Sequence, residues 1–415
     1  MPAARRFRIL SPLVERDFRL LWAGQTVSLI GDGITTIALA WQTFELTRSP
    51  VSLSVVLLAR SVPMLVLLLV GGAVSDRLPR RAVMLASDVI RAAAVGAIAL
   101  LSAGGVLEVW HLVVLAAIFG GADAFFQPAY SAIFPDILPK GLLVQANSLT
   151  AATRPVTLFL AGPALGGLLV GTMGSAAAFG ADAATFAVSA ACLLGMRSRP
   201  SRAAGDRTIL AEIREGLEYT RRTRWIWVTL VSAAVTILLV EGPFHVLLPF
   251  VVADRLGGGA QGFGFVSAAE GVGAVLAALV IGQWGMPRHR VTAMYLTWAA
   301  SCASIGLIGV APGLLGAAMF SALSGAGFQM GTVIWATMLQ QLVPARMLGR
   351  VTSLDWLVSF ALAPLSFGLA GPIAGRIGGP VTLLAGGLIG GAVLLVGLMV
   401  PGVRDPEREK VGKEG

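Results

Sequence analysis

The stretch PVSLSVVLLARSVPMLVLLLVGGAVSDRLPRR, residues 50–81, decides the fold. Its first part, 51–75, is a mostly apolar run that exceeds the roughly 20 residues a helix needs to cross the hydrocarbon core of a bilayer. Its end is short and strongly basic, and another apolar run follows at 82–103. Because Lys and Arg collect on cytoplasmic loops, the stretch predicts two transmembrane helices joined by a cytoplasmic loop.

The whole chain has the same character. Of its 415 residues, 56% are hydrophobic and only 13% are charged, and the mean hydropathy is +0.81. An ordinary soluble domain is about one quarter charged. In lipid only helices and closed barrels satisfy every backbone group, and long unbroken apolar runs favour helices over short alternating strands. The composition therefore predicts an all-α polytopic membrane protein.

Apolar runs bounded by charged or Pro/Gly-rich breaks predict twelve transmembrane helices. The predicted spans are 19–46, 51–75, 82–103, 109–128, 145–172, 175–196, 226–252, 261–285, 291–310, 313–335, 351–374 and 380–400.

The basic residues predict the orientation of these spans. With the N-terminus in the cytoplasm, 25 Lys and Arg residues lie on inside segments and 3 on outside loops. This asymmetry predicts a protein of the inner (plasma) membrane with both termini cytoplasmic. It also accounts for the net charge of +9 without a nucleic-acid partner.

The longest polar segment, 197–225, divides the spans into two groups of six. Its residues Ile209, Ile213, Leu217 and Trp225 recur at roughly helical spacing, which predicts an amphipathic helix on the inner membrane face; a solvated linker helix is the alternative. The predicted organisation is a bundle at 1–196, this linker, a second bundle at 226–400, and a polar cytoplasmic tail at 401–415.

The two halves echo one another in sequence. PKGLLVQANSL at 139–149 follows the fourth span, and PARMLGRVTSL at 344–354 follows the tenth, at a constant offset of 205 residues. Parallel six-helix halves are one architecture of secondary transporters.

Residue usage argues against several classes of chemistry. The two cysteines and three histidines are scattered, and none of the three lysines belongs to a phosphate-binding loop. We expect no metal site, no cofactor and no ATPase activity. An enzyme is the weakest alternative, because no cluster of nucleophile and base is visible.

The loop GGAVSDRLPRR carries the strongest local pattern, formed by Gly72, Asp76, Arg77, Arg80 and Arg81. We expect Gly72 to permit close helix approach, and Asp76 to pair with a nearby arginine or to cap the next helix. Such a charge pair at a cytoplasmic helix junction predicts a conformational latch. The alternative is that the arginines only enforce topology.

This loop, the twelve spans and the basic central linker resemble the major facilitator superfamily over essentially the whole chain. FRLLWAGQTVSLIGDGITTIALAW, LLARSVP and FFQPAYSAIFPDILP resemble its macrolide-efflux and enterobactin-exporter-like branch. The chain departs from the superfamily at Pro79, where glycine is common, and GQWGMPRHR in the second half lacks the acidic residue. The resemblance implies a monomer whose first, fourth, seventh and tenth helices line a central cavity.

The fifth span contains GPALGG, with Gly162, Pro163, Gly166 and Gly167. It resembles the core of a motif associated with antiporters of the superfamily, although Leu158 stands where the full motif usually has another glycine. Pro163 predicts a bend and the glycines predict close packing. A generic packing face is the alternative.

Charged residues inside spans are costly and mark functional sites. Asp32, Arg60 and Glu241 lie near mid-depth, Glu270 lies further out, and His245 follows Glu241 by one turn. The resemblance places Asp32 and Glu241 on cavity helices. We expect Asp32 to carry the coupling proton, with a permanent Asp32–Arg60 ion pair as the alternative, and we expect Glu241 and His245 to share a proton. Glu270 is either a coupling or a packing carboxylate.

Five other charged residues lie nearer the cytoplasmic ends, and for them we expect structural pairing between helices. They are Asp88, Arg91, Asp123, Arg154 and Asp355.

Together these observations predict a secondary active transporter that exchanges protons for a hydrophobic or amphipathic drug moving out. One alternative is export of a specific endogenous metabolite, such as a siderophore or a self-made antibiotic. Another is a non-transporting membrane sensor or assembly factor on the same fold.

Overall fold

The computed structural model describes residues 8–197 and 209–408, and in these ranges the chain is helical without strands. The α-helices are α1 Arg16–Thr47, α2 Pro50–Arg77, α3 Arg80–Ala103, α4 Val109–Ile137, α5 Leu143–Arg154, α6 Gly162–Met173, α7 Ser175–Gly195, α8 Ile209–Arg222, α9 Arg224–Phe250, α10 Gly259–Trp284, α11 Arg290–Ile308, α12 Leu314–Leu342, α13 Ala345–Ala361, α14 Ala363–Ile377, α15 Gly379–Met399 and α16 Asp405–Arg408. Wider π-helical turns join α5 to α6 and extend α9, at Pro155–Ala161 and Val251–Arg255.

Each predicted span coincides with one helix or with two helices in succession. Ten helical segments of the described chain are long and apolar enough to cross a membrane. The other two predicted spans, 19–46 and 351–374, correspond to α1 and to the pair α13 and α14. Polar residues lower the hydropathy of α1, and a break at Leu362 divides the second span into two short helices.

The contacts divide the chain into two compact units. The first comprises Met1–Ala204 with Gly259–Ala268, and the second comprises Gly205–Gly258 with Ala269–Gly415. The start of α10 therefore packs with the first unit. The exact first and last residues predicted for the two bundles, the linker and the tail remain predictions.

Close helix crossings hold the first unit together. In it α1 packs on α6 and α7, α2 on α4, and α3 on α4 and α7. Gly120 of α4 faces the backbone carbonyl of Arg60, and Gly71 of α2 faces the carbonyl of Ala124. A side chain at either glycine would collide with the neighbouring helix backbone, so these positions set the α2–α4 distance.

The second unit repeats one of these crossings. Gly325 of α12 faces the backbone carbonyl of Glu270 in α10, as Gly120 of α4 faces that of Arg60. The two glycines are separated by the same 205 residues as the repeated loop segments. The internal repeat therefore extends from the loops into the helix crossings.

Of the four apolar residues predicted for one amphipathic helix, Trp225 does not belong to α8. Helix α8 packs on α13 and α9, and Leu217 is exposed. Trp225 belongs instead to α9, because a new helix starts after Thr223; there it is buried, with its ring centre 5.6 Å from that of Trp335. The side chains of Ile209 and Ile213, the linker 198–208 and the tail 409–415 lie outside the described residues.

Candidate functional site

Asp32 lies in the middle of α1 and is half-buried. Its Oδ1 is fully buried and has no hydrogen-bond partner among the described residues. The next residue, Gly33, crosses Gly162 of α6 so closely that a Cβ on Gly33 would lie 2.7 Å from the Cα of Gly162. The first glycine of GPALGG therefore packs against the residue that follows the predicted coupling carboxylate.

The ion pair between Asp32 and Arg60, the alternative to a coupling role, is not formed between these two described side chains. The guanidinium of Arg60 instead lies over the ring of Phe119, 4.6 Å from its centroid. A ring face attracts a cation, which gives this guanidinium a partner other than a carboxylate. Arg91 and Asp123 are further charged groups close enough to act on Asp32.

A second charged group is enclosed between α3, α4 and α7. Arg91 contacts Asp88 at 2.5 Å and Asp123 at 3.3 Å, and Ser189 donates a hydrogen bond to Asp88 at 2.7 Å. Arg91 also lies over the ring of Phe126, at 4.2 Å. The pairing between helices predicted for these residues is present in the Arg91–Asp123 contact, and the two carboxylates give NH1 and NH2 of an arginine that is 1% exposed their partners.

Asp182 of α7 is a buried carboxylate that sequence reasoning left out of the candidate site. Thr35 of α1 donates to its Oδ2 at 2.5 Å, and Thr185 donates to its Oδ1 at 3.0 Å. A Cβ on Gly31 would overlap both Asp182 and Thr185. Asp182 thus anchors α1 on α7 one turn from Asp32. The feature of the sequence that could have identified Asp182 is an aspartate inside an apolar span.

In the second unit the structure brings Glu241 and His245 together. His245 Nε2 lies 3.1 Å from Glu241 Oε1, and the two side chains are 39% and 43% exposed, respectively. Glu270 of α10 is near enough for its charge to act on both. A carboxylate in contact with an imidazole can bind and pass on a proton.

A break in the hydrogen-bond ladder of α9 positions this group. The backbone N–H of Gly242 donates to Ser366 Oγ at 2.7 Å, and Ser366 donates to the carbonyl of Leu238 at 2.7 Å. A hydroxyl from α14 therefore bonds to both ends of one helical turn of α9, immediately after Glu241. Pro243 lies inside α9, where it lacks a backbone N–H, and the packing of α14 on α9 brings Ser366 to this turn.

The basic loop after α2 makes contacts that its sequence did not predict. Arg80 forms a 2.6 Å ion pair with Asp136 at the end of α4. Arg81 donates to the carbonyls of Leu193 and Leu194 at the end of α7, at 2.6 and 2.8 Å. Arginines at helix C-termini satisfy carbonyls that the helix leaves free. The loop thus ties α3 to α4 and α7.

Two other members of the loop motif behave differently. A Cβ on Gly72 would meet open space, so the close approach predicted there is wrong. The adjacent Gly71 makes the close approach instead, against α4. Arg77 is exposed. The side chain of Asp76 lies outside the described residues, and its role in a latch stays a prediction.

The GPALGG glycines pack against helix backbones. Gly162 contacts Gly33, Gly166 contacts Ile34, and Gly167 contacts Gly264. A Cβ on Gly167 would lie 2.7 Å from the Cα of Gly264 in α10. Pro163 is buried at the start of α6, directly after the π-helical turn 155–161. Two glycine faces of one short helix therefore hold α1 and the start of α10 within the first unit.

Comparisons with known proteins agree with this architecture. A model of the family described as "Transmembrane secretion effector" (MFS_3) matches residues 8–412. The chain is 29% identical to the multidrug efflux pump Tap of Mycolicibacterium fortuitum, over 90% of this chain and 92% of that protein. It is 25% identical to macrolide efflux protein A of Streptococcus pyogenes, over 87% and 90%.

The fold is that of a solved transporter as well. A crystal structure of a POT family transporter superposes with a TM-score of 0.71 at 10% identity, covering 92% of this chain and 95% of that one. The resemblance carried by GGAVSDRLPRR and the twelve spans is confirmed. The chain belongs to the transmembrane secretion effector family of the major facilitator superfamily, and it is a multi-pass membrane transporter rather than an enzyme.

Proposed function

We propose that this transporter exports hydrophobic or amphipathic drugs across the inner membrane in exchange for protons. The observation that carries the coupling is the unpaired, buried Oδ1 of Asp32 in an apolar helix bundle. An ionised carboxylate is far more costly in such a place than a protonated one. A carboxylate with no permanent partner can gain and lose a proton as its surroundings open to one side of the membrane and then to the other.

Two relatives support the choice of cargo, since one is named a multidrug efflux pump and the other a macrolide efflux protein. Both termini are cytoplasmic in this proposal, so a proton that enters from outside is released inside as the drug leaves. The group of Glu241, His245 and Glu270 in the second unit is the alternative proton site.

Drug resistance in a pump-deficient host tests the proposal. Cells that express the chain are challenged with a panel of amphipathic compounds, with and without a protonophore. Resistance to several unrelated compounds, abolished by the protonophore, is the expected result. Protection against a single compound supports export of one endogenous metabolite, and no flux of any compound contradicts the proposal.

A further inference from the structure

One face of α1 carries three buried oxygens that have no hydrogen-bond partner among the described residues. They are Gln25 Oε1, Ser28 Oγ and Asp32 Oδ1. Gln25 is 7% exposed and Ser28 is 1% exposed. Spacings of three and four residues place successive side chains on the same side of a helix, so the three oxygens form a row.

The other hydroxyls of α1 show that this row is not an ordinary feature of a helix. Thr26, Thr36, Thr43 and Thr47 each donate to the carbonyl four residues earlier, at 2.7–2.9 Å. The Ser28 hydroxyl makes no such bond. It therefore has both its donor and its acceptor capacity available in a region closed to bulk solvent.

The spacing of the row is within reach of short water bridges. At about 1.5 Å per residue, Gln25 and Ser28 are about 4.5 Å apart along the axis, and Ser28 and Asp32 about 6 Å. A water that bonds to two oxygens at about 2.8 Å each bridges up to about 5.6 Å, so one water spans the first step and two waters in succession span the second. Buried polar groups are almost always satisfied, and a buried water with two to four polar partners is the usual means when no protein group serves.

The charged groups around Asp32, at one end of the row, favour a proton as the species that moves along the row. The charged groups that act on Asp32 are Arg91 of α3, Asp123 of α4, Arg60 of α2 and Arg154 of α5, and Asp182 of α7 also interacts with it. Arg91 is already bonded to Asp88 and Asp123, and Arg60 lies on Phe119. Among these carboxylates, Asp32 is the one with a buried oxygen that has no hydrogen-bond partner among the described residues.

We propose that Gln25 and Ser28 form a hydrated proton pathway that runs along α1 between Asp32 and the N-terminal end of the helix. Gln25 Oε1 accepts a hydrogen bond from the first water and holds it. Each water, and the Ser28 hydroxyl, gives its own proton to the next oxygen while it receives one from the preceding oxygen. One O–H bond forms on Asp32 Oδ1 for each proton that enters, and the reverse sequence releases it.

This pathway rests on the proposed coupling role of Asp32 for its physiological use, and in that topology it opens to the cytoplasm. Its existence can be tested separately. At acid pH Asp32 is protonated whatever its role, so the exchange of its carboxyl proton for deuterium reports only on access to it.

The test uses the purified full chain in detergent, mixed into acidic D2O. Infrared spectroscopy follows the carboxyl band of Asp32, which is identified by its loss in Asp32→Asn. We expect Ser28→Ala and Gln25→Leu to slow the exchange by about tenfold, the effect of one lost hydrogen-bonded link. Thr26→Ala is the matched control, because that hydroxyl is bonded to the carbonyl of Trp22, and it should exchange at the wild-type rate.

The outcomes separate the pathway from the transport proposal. Wild-type exchange rates in both Ser28→Ala and Gln25→Leu overturn the pathway, even if efflux is proton-coupled. Slow exchange in these variants together with protonophore-insensitive efflux supports the pathway and overturns the coupling role. If Ser28→Ala does not fold, Gln25→Leu against Thr26→Ala decides the question alone.

Discussion

Asp32 is the residue on which proton coupling depends in this proposal. Asp32→Asn keeps the shape of the side chain but removes the titrating group. We expect it to abolish accumulation of drug against a gradient in proteoliposomes driven by a pH difference, while drug binding measured by fluorescence persists. An Asp32→Asn variant that still drives accumulation would contradict the role and move the prediction to Glu241.

The Arg80–Asp136 ion pair is partly enclosed, with side chains 14% and 18% exposed. Removing one partner of an enclosed pair leaves an uncompensated charge, whereas an exposed pair contributes little. We therefore expect Arg80→Gln to lower the melting temperature or the transport rate of the purified protein clearly more than Arg222→Gln, whose pair with Glu218 is 79% and 58% exposed. Equal effects would show that the basic loop acts through topology alone.

Helix α6 is held by glycines rather than by interdigitated side chains. A Cβ on Gly162 would lie 2.6 Å from the Cα of Gly33, and neither backbone can retreat without separating α1 from α6. Overpacking of this kind costs about 1–3 kcal/mol or more. We expect Gly162→Leu to reduce expression and thermal stability, whereas Gly180→Leu, where a Cβ meets open space, should not. Normal stability of Gly162→Leu would show that α1 and α6 are loosely packed.

Helix α9 depends on a hydroxyl from another helix. Ser366→Ala leaves the N–H of Gly242 and the carbonyl of Leu238 without the bonds they make at 2.7 Å. An unsatisfied buried backbone group costs about 1–3 kcal/mol. We expect a lower melting temperature for Ser366→Ala than for Ser61→Ala, whose hydroxyl only returns to its own helix. A melting temperature equal to that of Ser61→Ala would mean that α9 repairs the break by itself.

The orientation of the chain follows from its arginines, and it can be checked directly in cells. Ser49 lies in the predicted outside loop between the first two spans, and Ser201 lies in the predicted cytoplasmic linker. A membrane-impermeant maleimide should label Ser49→Cys in intact cells and should label Ser201→Cys only after the membrane is opened. The reverse pattern would invert the topology and the direction of the proposed pathway. The native Cys192 and Cys302, half-buried and buried, serve as the background control.

The features that the sequence alone determined are those that arise from neighbouring residues. Apolar run length predicted the spans, the arginines predicted their orientation, and the spacing of four between Glu241 and His245 placed them on one helix face. The 205-residue offset between loop segments predicted the repeat that Gly120 and Gly325 continue inside the units. These signals are local or periodic, and they do not require knowledge of which helices meet.

Only the tertiary structure decided which partner each buried polar group obtains. Arg80 and Asp136 are 56 residues apart, and Gly242 and Ser366 are 124 apart. The alternative Asp32–Arg60 ion pair is not formed, and Arg60 lies over a phenylalanine ring on α4. The close helix approach predicted at Gly72 occurs at Gly71. Many of the described spanning helices, such as α2, α4, α9, α10 and α15, have no single apolar face, so the sequence does not reveal which face is buried against which neighbour. Packing between helices decides which face is buried. The same packing leaves the oxygens of Gln25, Ser28 and Asp32 buried in one row.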